Sequence, residues 1–174
     1  MGAIDEVLDA NRRFAETYSG KDLPGQPARR LAVVACMDYR IPISQALGLE
    51  NGDAVVIRNA GGIITEDTLR SLIVAHYRLG ITDLMIINHT QCGMQTFEDQ
   101  ELVEWLEQET GASTVIPAHF HTFTDLEENV RRQFRRLRSH AWIPDSLRVR
   151  GFIFDVKTGL LNEVDLEKPL KEVH

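Results

Sequence analysis

An apolar run over residues 31–35 ends on Cys36, and Asp38 and Arg40 follow at alternate positions in VVACMDYRIPI. A second apolar run, IINHTQCGM, ends on His89 and Cys92. These two cysteines are the only ones in the chain. Two thiolates and one imidazole make a neutral donor set around Zn²⁺, and three protein ligands leave the fourth tetrahedral position open. A structural zinc site normally closes with four protein ligands, and no third cysteine exists to close this one. The ligand count therefore points to catalysis, with a zinc-bound water whose pKa falls to roughly 7 and yields hydroxide near neutral pH.

Asp38 and Arg40 stand two and four residues after Cys36, and in extended backbone all three project to one side. An arginine beside a carboxylate keeps it ionised and orients it through a forked pair of hydrogen bonds. Asp38 so held has two uses. It accepts the proton or a hydrogen bond from the zinc-bound water, or it swings onto the metal as fourth ligand and shuts the site.

Other elements must bring these residues together. Residues 31–37 form a continuous β-branched run that predicts a buried strand; 53–59 and 83–90 predict two more. Helices are predicted over 65–80, with Thr65 as N-cap and Gly80 as stop, over 97–111, and over 124–140, with Thr124 or Asp125 as cap. Residues 147–166 read as two strands joined by a tight KTG turn. This alternation predicts an α/β fold, a parallel sheet with helices on both faces and an antiparallel strand at one edge. In such sheets ligands bind beyond the carboxyl ends of the strands. Cys36 converges with His89 and Cys92 if the strand order is 2-1-3. Glycines at 61, 62 and 93 follow the strand ends, where they allow close backbone approach, so Gly61, Gly62 and Gly93 are candidate walls of the substrate crevice.

Ile4, Val7, Leu8 and Phe14 recur near helical spacing, so residues 1–20 predict an amphipathic helical arm lying on the domain or on a second subunit. The 174 residues suit one domain over 1–174. A formal net charge of −7 argues against nucleic acid or an anionic membrane as partner. No apolar run reaches bilayer length and the N-terminus lacks a signal-type apolar core. Two cysteines in such a chain favour thiolate or metal chemistry over disulfides, from which a cytoplasmic location follows.

Taken as an ordered set, Cys36-x-Asp38-x-Arg40, the Arg58–Gly62 stretch RNAGG, and His89-x-x-Cys92-Gly93 resemble the β-class carbonic anhydrase family, in its short, minimal branch. The resemblance extends over nearly the whole chain, to RGFIFDVKTG. It implies zinc on Cys36, His89 and Cys92, an Asp38–Arg40 dyad, and a flavodoxin-like sheet in order 2-1-3-4 with an antiparallel edge strand. It also implies a homodimer or homotetramer in which the N-terminal helix embraces the partner. The expected activity is reversible hydration of CO₂ to bicarbonate by zinc-bound hydroxide. Carbonyl sulfide hydrolases share the branch, the ligands and the dyad, so hydrolysis of COS to H₂S and CO₂ is the alternative, and carbon disulfide hydrolases share the broader fold. A third reading, a non-catalytic zinc or redox-sensing domain, requires a closed four-ligand site.

His119 and His121 form a tempting second metal pair, but their alternate spacing in a short segment fits a solvated or interface loop. Leu102 and Trp105 are expected in the core. The basic run RRQFRRLRSH is expected to be a solvated helix face anchored by Phe134 and Leu137.

Overall fold

The computed structural model describes residues 2–113 and 119–170. Its centre is a five-stranded sheet of β1 (Leu31–Cys36), β2 (Ala54–Asn59), β3 (Asp83–His89), β4 (Arg148–Phe154) and β5 (Leu161–Val164). The spatial order is β2-β1-β3-β4-β5. β1 lies between β2 and β3, all parallel, and β4 continues the parallel set. β5 is antiparallel to β4 at the edge. This is the architecture expected, including the 2-1-3 order on which convergence depends.

The register sets the site. Ala35 faces Ile87, so β1 ends level with Asn88, and His89 stands one residue beyond. β1 is buried along Ala32–Cys36 because neighbours flank both edges and layers cover both faces. On one face, α3 (Glu66–Leu79) and α5 (Leu126–Arg138) supply Leu69, Leu72, Ala75, Val130 and Leu137 against Ala32, Val34, Leu84 and Ile86. Both helices start as expected. The Thr65 hydroxyl accepts from the Thr68 N–H and the Asp125 carboxylate accepts from the Glu128 N–H. On the other face, Val33, Ala35 and Ile87 pack with Ile41, Ile63, Phe123 and Phe152, and with Ile43 of the short helix α2 (Ile43–Leu47). The sequence reading did not include α2, because five residues are too few to show a 3.6-residue period.

Two helices contain no fully buried residue among the described residues. α1 (Ala3–Glu16) leaves Ile4, Val7, Leu8 and Phe14 exposed. α4 (Asp99–Thr110) likewise has no buried residue, and Trp105 is 55% exposed, so the expectation that Trp105 belongs to the core is not met. Periodicity identifies an apolar stripe but not the surface it meets. α5 also departs from expectation: Leu137 is the buried anchor, but Arg131 is buried too, donating to the Asp165 carbonyl and pairing with Glu127 and Glu128. The hairpin turn is closed by Asp155, whose carboxylate accepts from the N–H groups of Lys157 and Thr158, and by Gly159 at φ 75°. No helix among the described residues is long and apolar enough to cross a membrane.

Candidate metal centre

Cys36, His89 and Cys92 meet at the carboxyl edge of β1 and β3. Their ligating atoms lie within 4.8 Å of one another, and all three residues are buried. Among the described residues no other group of three metal-binding side chains comes together. Each residue is placed by a separate device. β1 delivers Cys36 at its last position, β3 delivers His89, and the turn that follows returns Cys92 to the same spot. That turn contains Gln91 at φ 58°, a left-handed backbone uncommon for a residue with a side chain.

The donor set fits a divalent cation on three observations. First, the Cys36 and Cys92 sulfurs are 4.0 Å apart, against about 3.8 Å for two thiolates on one tetrahedral zinc. Secondly, His89 Nδ1 donates to the Thr90 carbonyl at 3.0 Å, which fixes the tautomer and leaves Nε2 as a lone pair. His89 Nε2 is the one buried side-chain nitrogen or oxygen among the described residues without a partner. A buried, aligned and unsatisfied lone pair is costly unless something binds there. Thirdly, the thiols are set against each other. The Cys92 thiol draws the Cys36 thiol strongly down; burial opposes this, while His89 and the N–H groups of Asp38 and Gly61 assist. The same sulfur contact, and then burial, pushes Cys92 up. Both sulfurs ionise together only when a cation stands between them.

Asp38 and Arg40 are in direct two-pronged contact. Arg40 Nε reaches Asp38 Oδ1 at 2.9 Å, a terminal guanidinium nitrogen reaches Oδ2 at 2.6 Å, and the Arg40 backbone N–H also donates to Oδ1. Arg40 therefore holds the Asp38 carboxyl well below the usual carboxylate range, against the opposing effect of burial. Oδ2 also lies 3.7 Å from His89 Nε2, so the carboxylate is aimed into the metal-binding cluster.

Two positioning residues carry no role in the sequence reading. Arg58 on β2 donates from Nε to the Cys36 carbonyl at 2.9 Å and from a terminal nitrogen to the Asp38 carbonyl at 2.6 Å, splinting the loop that bears the first ligand. Its signal in the sequence is its place at the head of the RNAGG stretch, where it is the one charged residue of β2. Gln91 ties the two ligand loops together, its carbonyl accepting from Arg40 at 3.0 Å. Nothing in the sequence marks it, because the contact is to its backbone.

Gly61 and Gly62 are buried with φ of 80° and 63°. A Cβ on Gly62 would lie 3.0 Å from the Cys36 nitrogen, 3.0 Å from the Ile87 carbonyl oxygen and 3.1 Å from the Ala35 carbonyl carbon. These are backbone atoms that cannot step aside, so this turn must be glycine for the loop to seat beneath Cys36. Gly62→Ala is expected to cost about 2 kcal/mol in chemical denaturation and to weaken metal retention under a competing chelator. A variant of unchanged stability would show that the close approach is dispensable. At Gly93 a Cβ would meet open space, so close packing is not the reason for that glycine. His119 and His121 stand apart from this cluster, 6.3 Å between ring centres, with His119 3.7 Å from Asp99. Two imidazoles with one carboxylate do not gather into a metal-binding group there.

A mostly parallel open sheet, a switch between crossovers at the edge of β1 and β3, and a buried Cys-His-Cys set beside a forked carboxylate define an α/β fold with a candidate metal site at its switch point. The family model for carbonic anhydrase matches residues 31–161. Beta-carbonic anhydrase 1 of Mycobacterium tuberculosis is 38% identical over 164 residues, 94% of this chain and 99% of that protein. The crystal structure of carbonic anhydrase from Streptococcus mutans superposes with a TM-score of 0.89 at 38% identity, covering 95% of this chain and 99% of that one. A carbon disulfide hydrolase of Acidithiobacillus thiooxidans is 35% identical over 151 residues, 76% of each chain. The chain belongs to the β-carbonic anhydrase family.

Proposed function

We propose that this chain catalyses the reversible hydration of CO₂ to bicarbonate and a proton, with Zn²⁺ held by Cys36, His89 and Cys92. The observation that carries the reading is the buried lone pair of His89 Nε2, facing two thiols and one aimed carboxylate. When bound, zinc supplies the Lewis acidity that makes water a nucleophile near neutral pH. The protein's residues set the terms of that chemistry. Cys36 and Cys92 neutralise the ion's charge, and the Thr90 carbonyl keeps His89 in the ligating tautomer. Asp38, ionised and gripped by Arg40, is an acceptor only, so it orients the attacking water by taking its hydrogen bond and assists proton removal. From the same position Asp38 is the candidate fourth ligand of a closed state. Gly61 and Gly62 seat the floor beneath Cys36, and Gly93, where a side chain would meet nothing within 4 Å, is the candidate substrate-side residue next to Cys92.

The second reading is hydrolysis of a sulfur-bearing analogue, COS or CS₂, favoured by the similarity to a carbon disulfide hydrolase. Both readings use one donor set, and pocket shape separates them. The test is a paired assay on metal-quantified protein. Stopped-flow CO₂ hydration is set against sulfide release from COS and from CS₂. Fast CO₂ hydration with little sulfide supports the first reading, and the reverse supports the second. Full metal content with neither activity would leave the non-catalytic zinc or redox domain.

The single-domain reading is supported by one sheet flanked by two contiguous apolar clusters. A reducing, cytoplasmic setting suits two free sulfurs 4.0 Å apart. Association of two or four copies would cover the exposed apolar stripe of α1. A groove of about 450 Å³ over Leu31, Met85 and Phe152, rimmed by Arg29, Asp83, Arg148 and Arg150, is a candidate surface for a partner's arm. Val7→Asp with Leu8→Asp is expected to convert the oligomer to monomer in light scattering. A wild-type chain that is already monomeric would remove the arm from the account.

A further inference from the structure

A second cavity lies beyond the metal centre, with Ile63 as a shared wall. Ile63 lines it and also packs in the cluster containing Cys36 and Cys92. Its other principal walls are His121, Asn129, Arg132, Gln133 and Arg136, and its volume is about 110 Å³. At about 30 Å³ per water, that space takes roughly four waters or one small ion, and it is far below the size of a nucleotide or drug-like pocket.

The walls are cationic. Arg132 enters no ion pair among the described residues, and none of the lining residues is a carboxylate. Among the described residues Arg136 pairs only with Glu66, at 3.2 Å, where the Glu66 side chain is 86% exposed. Such a pair is weak and open to competition. His121 is pinned at φ 61° because Asp99 accepts from the backbone N–H groups of Phe120, His121 and Thr122. Burial first, and then the charge of Arg136, hold the His121 imidazole below its ordinary pKa, while the Asp99 carboxylate opposes them.

The floor is built from buried amides. Gln133 Nε2 donates to Asn129 Oδ1 at 2.9 Å, Asn129 Nδ2 to Asn88 Oδ1 at 2.7 Å, and Asn88 Nδ2 to the Gly61 carbonyl at 2.9 Å. Asn129 and Gln133 are almost fully buried, line the cavity, and spend one amide proton each on this chain. An amide nitrogen carries two protons, so each retains a donor for a guest.

We propose that this cavity binds a small oxyanion, of the bicarbonate or inorganic phosphate class, between Arg132, Arg136 and His121. Two guanidinium groups match the oxygens of such an anion, and the buried amides complete its hydrogen bonding. The bound anion sits at one end of three hydrogen bonds that terminate on Gly61, in the turn that underlies Cys36. Occupancy is thereby linked mechanically to the floor of the metal centre.

The experiment titrates the metal-loaded chain with inorganic phosphate and, separately, with bicarbonate, following the His121 ring resonances by NMR and the heat by calorimetry. The expected dissociation constant is about 1 mM or tighter, with His121 resonances moving on saturation. In R132Q/R136Q, with fold and metal content checked, binding is expected to weaken at least about tenfold. If the double variant does not fold, R132Q alone serves, since Arg132 is exposed. Response to one anion and not the other identifies which source fills the site. Binding that persists undiminished in the variant would place the anion on the metal and overturn the proposal. Absence of binding to the wild type would also overturn it.

Discussion

Cys92→Ala is expected to abolish metal binding at the centre and, with it, at least about 10³-fold of CO₂ hydration. Cys92 lies 4.0 Å from the Cys36 sulfur and is 2% exposed, so no water or neighbouring side chain substitutes for the missing thiolate. The loss is not a folding effect. The substitution removes one sulfur from a small apolar cluster, and the sheet and α3 and α5 are untouched. The discriminating measurement pairs metal analysis with circular dichroism and stopped-flow hydration. Intact secondary structure with metal near zero and background activity is the expected outcome. Retention of one equivalent of metal with full turnover would remove Cys92 from the ligand set.

Arg40→Ala is expected to retain the metal and lose roughly 10²-fold in kcat, the usual scale for a positioned acid–base group. Arg40 contributes no ligand. It holds Asp38 by a two-pronged contact and ties it to the Gln91 carbonyl of the other ligand loop. Without it the Asp38 carboxyl rises from its depressed state toward the ordinary carboxylate range, which still leaves it ionised at neutral pH. The deficit at pH 7 is therefore one of orientation and not of charge. The acid limb of the pH–rate profile moves upward, because a group with depressed pKa keeps its ionised form to lower pH than one without the depression. Arg40→Lys is expected to rescue little, since an ammonium cannot reproduce the fork. Unchanged turnover in Arg40→Ala with metal intact would take the dyad out of the mechanism.

The convergence of Cys36, His89 and Cys92 as a candidate metal centre is legible in the chain because its requirements are local and chemical. Cys36 and His89 had to be soft donors, and the end of an apolar run is where a parallel sheet presents them. The dyad was legible for the same reason, since alternate spacing in extended backbone puts Asp38 and Arg40 on one side. What periodicity could not supply was adjacency. Only a sheet ordered β2-β1-β3 joins strand ends so distant along the chain, and that order entered through family resemblance. Contacts made by backbone or across elements were equally hidden. Gln91 acts through its carbonyl and has no spacing to detect, and Arg58, although it opens the RNAGG stretch, acts through the carbonyls of Cys36 and Asp38, which no motif reveals. Trp105 shows the converse: its helical position suggested core, but it is more than half exposed, while Leu102, Val103 and Leu106 of the same helix are half-buried.

The proposed sharing of one divalent ion by Cys36, His89 and Cys92 is tested most directly by anomalous diffraction at the zinc edge from crystals of the metal-replete protein. The predicted map has a single peak with both sulfurs at about 2.3 Å and His89 Nε2 at about 2.0 Å. A peak bound elsewhere, or an ordered Cys36, His89 and Cys92 with no peak between them, would contradict it.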